Sequence, residues 1–370
     1  MSDSLTVRDR ARLTVAAALF SVSAAAPAAA QLETAAAVAV GGRVDWYVPG
    51  NLVAIDRLGQ PDGRSDVYIM RPNGAEMRCL TCPPAAVPQG HNGNPAWHPS
   101  GSVLVFQAQN PELAVLPAEW EAIRELATSP GWGLNHNLWL AMADGSRFWQ
   151  LTNVAAGMAV LHPHFDASGM RLVWAEKVAI STPSSERWVM KIANLRWSDG
   201  VPALINVRVL APLGPELFYE AHAFSSDGKQ LLFSAGRPAE SSLDIYLLDL
   251  IAGTVRNLTN SPGEYDEHAQ FTPDGTSIVW ASSRDITIPR DYFVPYLDYW
   301  KMRVDGTDHR RVTSFNQPGA REYYPNGIVV GDLTFGPDGW MMAKVEVGGI
   351  DPTIKVVEII VALREAPPIP

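Results

Sequence analysis

The sequence predicts an all-β fold, a six-bladed β-propeller of four-stranded antiparallel blades. Two observations predict it. The first is a phrase that recurs along the chain: Pro95-Ala-Trp-His-Pro-Ser-Gly-Ser-Val-Leu-Val-Phe106, Pro163-His-Phe-Asp-Ala-Ser-Gly-Met-Arg-Leu-Val-Trp174, His222-Ala-Phe-Ser-Ser-Asp-Gly-Lys-Gln-Leu-Leu-Phe233, Ala269-Gln-Phe-Thr-Pro-Asp-Gly-Thr-Ser-Ile-Val-Trp280 and, more weakly, Leu333-Thr-Phe-Gly-Pro-Asp-Gly-Trp-Met-Met-Ala-Lys344. Each copy reads as an inner strand, a tight turn at glycine and an apolar return strand. The second is that a further hairpin follows each copy. A unit this short cannot bury its own faces, so the repeats form an array.

The further hairpins run 66–74, 137–145, 244–253 and 298–306, with 188–200 as a longer version. Asn-Gly and Asp-Gly between apolar runs are strong hairpin signals. The strands that follow end in Leu80-Thr81, Leu151-Thr152, Leu258-Thr259 and Val312-Thr313. One unit therefore has four strands, inner A, then B, C and outer D, and such units arranged radially make a propeller. Complete units start near Trp97, Phe165, Phe224 and Phe271, and one precedes them from Val44 to Thr81. The last starts at Phe335, takes Ile354 to Leu363 as its third strand and then runs out of chain. Its outer strand is expected from Leu32 to Val40, which closes the ring and removes an open sheet edge.

Residues 1–30 read as a signal peptide. Arg8, Arg10 and Arg12 form a basic start, Leu13 to Ala26 is apolar and small, and Ala28-Ala29-Ala30 fits a cleavage site before Gln31. The apolar stretch is too short for a good membrane span, and no later segment is apolar enough to be one. The expected mature protein is thus a periplasmic propeller over 31–370. The whole chain's net charge of −10, made about one unit more negative by removal of the leader, repels nucleic acid phosphates and anionic lipid. The expected partners are an envelope protein or a carbohydrate. The two cysteines, Cys79-Leu-Thr-Cys82, are expected to form a local disulfide in an oxidising compartment.

The A–B turns and most C–D turns are tight, and the two sets share one end of the blades. The long connections, 110–136, 179–187, 211–220, 285–297 and 315–331, gather at the other end, where binding is expected. Within the first, 117–127 has helical spacing. The fifth carries Arg321, Tyr323 and Tyr324, which suit either a ligand contact or surface packing. Six of the eight histidines (His91, His98, His162, His164, His222, His268) lie in or just before A strands, and His136 ends a long connection. A-strand starts surround the central channel. Counted back from each phrase aromatic, Asn94, His162, Ala221, His268 and Asp332 stand at −3, and Ala96, His164, Ala223, Gln270 and Thr334 at −1. His222 stands at −2, and Glu220 and Glu267 at −4. Alternate residues of a regular strand face opposite ways, which separates the second set from the first, whereas twist and irregularity at the strand start would let both sets reach one channel.

Two readings stay open. In one, His162, His164, His222, His268, Gln270, Glu220 and Glu267 supply the ligands of one divalent transition metal ion, since imidazole and carboxylate together suit zinc, manganese, nickel or iron. In the other, these side chains hydrogen-bond between blades and order channel water. His91, His136, Arg321, Tyr323 and Tyr324 are the further candidate ligand contacts.

The phrase and the Asp-x-aromatic second hairpin resemble the TolB family of periplasmic propellers and, similarly, the propellers of dipeptidyl-peptidase-like enzymes. That resemblance covers the whole mature chain and implies the six-bladed fold. No Gly-x-Ser-x-Gly elbow of a hydrolase domain is present. The histidine-rich channel is similar to that of oligogalacturonate lyases, secreted propellers in which His and Gln side chains hold a divalent metal. That likeness implies the metal role for His162, His164, His268 and Gln270. Together the readings define two function classes: a binding or protein-interaction module of the cell envelope, or a metal-dependent enzyme, polysaccharide lyase-like or a hydrolase, with its site at the channel mouth.

Overall fold

The computed structural model describes residues 32–59, 63–112, 124–180, 186–237, 242–287, 295–348 and 357–365. The expected leader, most of the 117–127 segment and the start of the last third strand fall outside these residues. Arg124–Ala127 forms one helical turn.

Strand β1 (Leu32–Val40) precedes six repeating groups. Blade 1 comprises β2 (Val44–Tyr47), β3 (Leu52–Leu58), β4 (Ser65–Met70) and β5 (Arg78–Cys79). Blade 2 comprises β6 (Asn92–Trp97), β7 (Val103–Gln109), β8 (His136–Met142) and β9 (Phe148–Gln150). Blade 3 comprises β10 (Ala159–Phe165), β11 (Arg171–Ile180), β12 (Glu186–Ser198) and β13 (Val201–Leu210). Blade 4 comprises β14 (Phe218–Phe224), β15 (Gln230–Arg237), β16 (Ser242–Asp249) and β17 (Val255–Asn257). Blade 5 comprises β18 (Asp266–Phe271), β19 (Ser277–Ser282), β20 (Asp298–Arg303) and β21 (Arg310–Arg311). Blade 6 comprises β22 (Ile328–Phe335), β23 (Trp340–Val347) and β24 (Val357–Glu365), with β1 as its outer strand. The fold is the expected six-bladed propeller.

The repeated phrase works through its turn. Gly101, Gly169, Gly228, Gly275 and Gly339 all have φ between 66° and 75°, a left-handed conformation that glycine adopts without a Cβ penalty. Each blade then buries its faces against its neighbours. Trp174 and Ala193 of blade 3 pack on Ala96, Val105, Leu138 and Leu140 of blade 2, and Trp280 and Trp300 of blade 5 pack on Leu232 and Ile245 of blade 4. A recurrent aspartate at the start of the C strands of blades 1, 4 and 5 ties C to D. Thr81, Thr259 and Thr313 hydroxyls donate to Asp66, Asp244 and Asp298 at 2.7–2.9 Å. The same hydroxyls accept the N–H of Val67, Ile245 and Tyr299. Cys79 and Cys82 form the expected disulfide.

The ring closes through its first and last strands. β1 runs antiparallel to β24 with seven partner pairs, from Leu32↔Glu365 to Val40↔Ile359. Its far side meets blade 1, where Gly74, at φ 79°, lies so close to the Val38 carbonyl that a Cβ there would stand 2.8 Å from the oxygen. β1 is therefore held by two blades at once.

Candidate metal centre

The A strands are not regular, and the irregularity builds the site. In β6, β10, β14, β18 and β22 one extra residue is inserted, between Gly93 and Ala96, Leu161 and His164, Ala221 and Ala223, Glu267 and Gln270, and Val330 and Leu333. A bulge of this kind re-aims side chains. Asn94, His162 and His268 take left-handed φ values of 51°, 48° and 55°, conformations that cost free energy in non-glycine residues and cluster at functional sites. The bulge breaks the pleat, so residues of opposite parity meet.

The −3 offset extends to blade 1, whose phrase aromatic is Trp46. It yields Arg43, which sequence reasoning missed because blade 1 lacks a full phrase. Blade 4 has alanine at −3, and Glu220 at −4 fills the space. Arg43, Asn94, His162, Glu220, His268 and Asp332 thus form a ring with one member from each blade.

Three of them converge. One ligand atom each from His162, Glu220 and His268 lies within 4.8 Å of the others, and the three residues are 4%, 4% and 6% exposed. His162 Nδ1 is paired with Glu220 Oε1, and its buried Nε2 has no hydrogen-bond partner among the described residues. His268 Nδ1 is 3.6 Å from Glu220 Oε1 and 3.1 Å from Asp332 Oδ1. Its Nε2 is 3.2 Å from Glu267 Oε1. Asp332 is paired with Arg43.

The electrostatics follow from burial and these partners. Burial lowers His268, but Glu267, Asp332 and Glu220 outweigh it and push the imidazole up to about 10. Burial raises Glu220, yet His162 and His268 hold its carboxyl below the ordinary range. Asp332 is likewise raised by burial and pulled well down by Arg43 and His268. Three carboxylates (Glu220, Glu267, Asp332) face one guanidinium and two imidazoles here. With His268 deprotonated for ligation, three carboxylates against one guanidinium leave an excess of negative charge that a divalent ion matches, and two imidazoles plus one carboxylate are a donor set that holds zinc or iron(II) with open positions. The buried Nε2 of His162, without a hydrogen-bond partner among the described residues, fits the same role.

The other candidates stand elsewhere. Glu267 holds the far nitrogen of His268, as an orienting carboxylate does behind a metal-ligating histidine. His222 Nε2 meets the Ser234 hydroxyl, and burial pushes it down to about 3. His164 and Gln270 lie outside the three-residue cluster and line a cavity of about 240 Å³ beside it. That cavity is bounded by −3 and −1 residues of the A strands and by the phrase aromatics Trp97, Phe165 and Phe224. Among the described residues, none of its lining comes from the long connections. The −4 residues, Gly42, Gly93, Leu161, Glu220, Glu267 and Gly331, are all buried, whereas four of the six at −1 (Asp45, His164, Gln270, Thr334) are partly exposed. The cavity therefore lies toward the tight-turn end, not the loop-rich rim where binding was expected.

His91, His136, Arg321, Tyr323 and Tyr324 do not line the cavity. His91 Nδ1 accepts the Ser65 N–H at 3.1 Å. Tyr324 packs on the apolar core between blades 5 and 6, and Arg321 is exposed. His136 is fully buried, and its Nε2 lies 2.8 Å from the Thr128 carbonyl oxygen, which accepts its proton. Burial pushes His136 down to about 3. Its folded pKa lies below the unfolded value, so its contribution to stability is complete above about pH 6.5 and lost as pH falls toward 3. The loss amounts to at most about 5 kcal/mol. Chemical denaturation between pH 7 and pH 4 is expected to show this fall, and His136→Gln to flatten it.

The fold and centre define a class, a six-bladed propeller with a polar site on its axis. Comparison with known proteins agrees with the fold. No protein-family model matches the sequence. Dipeptidyl-peptidase 5 of Porphyromonas endodontalis is 33% identical over 78 residues, which are 20% of this chain and 11% of that protein. The matched stretch is thus about a tenth of the relative's length. Among solved structures, puromycin hydrolase superposes with a TM-score of 0.51 at 16% identity, covering 94% of this chain and 49% of that one. Oligogalacturonate lyase from Vibrio parahaemolyticus gives 0.50 at 12% identity over 89% and 78%. TolB from Acinetobacter baumannii gives 0.47 at 13% over 97% and 68%. At these identities the likeness is one of fold.

Proposed function

We propose that the chain is a cell-envelope binding module whose channel holds one divalent transition metal ion on His162, Glu220 and His268, and that this centre with its cavity is the ligand site. The convergence of these three buried side chains, with Nε2 of His162 lacking a hydrogen-bond partner among the described residues, carries the proposal. The leader expected at 1–30 sets the protein in the periplasm, and its acidic charge keeps nucleic acid away. A bound ion with an open position supplies a Lewis acid. The cavity beside the centre therefore also favours a second reading, a metal-dependent enzyme acting on a carbohydrate or other small substrate.

Metal content tests the proposal. The chain from Gln31, expressed in the periplasm without a His tag, is expected to carry close to one metal ion by mass spectrometry. His162→Ala and Glu220→Ala are expected to lose most of it while keeping the far-ultraviolet circular dichroism of the parent. Wild-type protein that stays metal-free, with a melting temperature unmoved by zinc, manganese or iron(II), removes the metal and leaves the ring as a structural network.

A further inference from the structure

Arg43 brings to the centre a positive charge that no accessible pH removes. One of its guanidinium nitrogens donates to Asp332 Oδ2. The same nitrogen lies 3.4 Å from His268 Nδ1. Asp332 Oδ1 stands 3.1 Å from that Nδ1, nearer than Glu220 Oε1 at 3.6 Å. Glu267 holds the other ring nitrogen at 3.2 Å, so Nδ1 is the nitrogen that His268 turns to the centre. A guanidinium and a bound ion would therefore share two neighbours, His268 Nδ1 and the Asp332 carboxylate.

The pair is built in. The Arg43 backbone N–H donates to Asp56 Oδ1 at 2.9 Å, and its carbonyl accepts the Asp56 N–H at 3.2 Å. Both side chains are largely shielded from water. Asp332 is engaged by Arg43 and, among the described residues, stands outside the convergence of His162, Glu220 and His268. It is nevertheless the carboxylate nearest to His268 Nδ1 and the side chain best placed to close the coordination sphere. A zinc site with four protein ligands is the closed, structural kind. An ion on Nδ1 would also stand within about 6 Å of the guanidinium nitrogen. At that distance a divalent and a monovalent charge repel by enough to cost about tenfold in affinity, even at the dielectric of water.

We infer that Arg43 guards the metal centre: its charge limits how tightly the ion is held, and its hold on Asp332 keeps a fourth protein ligand off the ion and one position open. The inference rests on the metal-centred reading above. It makes Arg43 a positioning residue that acts through Asp332.

The test compares the mature chain with Arg43→Met, Asp332→Asn and the double variant. Zinc affinity is measured by competition with a chelator, and the visible absorption of cobalt(II)-loaded protein is recorded with and without azide. Arg43→Met is expected to bind zinc at least about tenfold more tightly than the parent, with a cobalt spectrum that no longer responds to azide. Asp332→Asn leaves the guanidinium without its carboxylate and is expected to bind zinc about tenfold more weakly. The double variant is expected to fall between the two and to respond to azide as the parent does. A damaged fold weakens binding, so tighter binding cannot come from disruption. Where circular dichroism shows Arg43→Met unfolded, the double variant against Asp332→Asn makes the same comparison, and the same gain is expected. Zinc that binds the parent but gains nothing from loss of Arg43 in either background overturns the inference and leaves the metal reading. An azide response that survives in Arg43→Met, or is absent from the parent, also overturns it. A parent that takes no metal while Arg43→Met does keeps the inference and removes the metal from the native protein. Metal in none of the four overturns both.

Discussion

A chain that begins at Gly41, lacking β1, is expected to lose the native fold. β1 supplies the fourth strand of blade 6 through seven partner pairs with β24 and buries Leu32, Ala39 and Val40. Without it, β24 becomes an open edge beside Ile359, Ile360, Val361 and Leu363, which are fully buried in the intact ring. Blades 1 and 6 also lose the strand wedged between them. A domain's total stability is only about 5–15 kcal/mol, and a bare apolar edge is a template for aggregation. Size-exclusion chromatography and thermal melting are expected to show aggregate and no cooperative transition. A synthetic peptide of residues 32–40 added during refolding is expected to restore part of the folded yield. A truncated chain that melts as the full one does contradicts closure by β1.

Arg43→Ala is expected to be the most damaging single substitution at the ring of −3 residues. Arg43 pairs with Asp332 in a site where both side chains are largely shielded, 12% and 16% exposed. Its NH1 also lies 3.4 Å from His268 Nδ1. Removing one partner of a buried pair costs up to about 3–5 kcal/mol, an upper bound here because His268 still faces Asp332. Denaturant unfolding of metal-stripped protein measures this. Adding Asp332→Asn to Arg43→Ala is expected to recover part of the loss, since the stranded carboxylate is then gone, and the double-mutant cycle isolates the coupling. A loss below about 1 kcal/mol would show that water, not Arg43, balances Asp332.

Much of the fold was legible because its signals repeat. The Ser-Gly and Asp-Gly turns mark the A–B corner of five blades, and the Asp…Thr pairing marks C and D strands, so each blade corroborates the others. The closing strand followed from the missing partner of the last blade. The site was legible only in part. His162, Glu220 and His268 were all singled out, but a regular strand separates Glu220 from the histidines, and the residues alone leave open whether an irregularity unites them. The bulge that unites them has no residue signature, since its left-handed positions are filled by Asn94, His162 and His268, ordinary strand residues in sequence. Arg43 and Asp45 were recoverable by applying the same offsets to Trp46. The side on which the cavity lies was not recoverable, because loop length reports where the chain is long, not where the channel is open.

The most direct test of the central claim is an anomalous difference map from crystals of the mature chain loaded with zinc, recorded at the zinc absorption edge. One strong peak on the propeller axis, about 2.0–2.2 Å from His162, Glu220 and His268, is the predicted result. No axial peak, or a peak bound by His164 and Gln270 in place of Glu220, would contradict it.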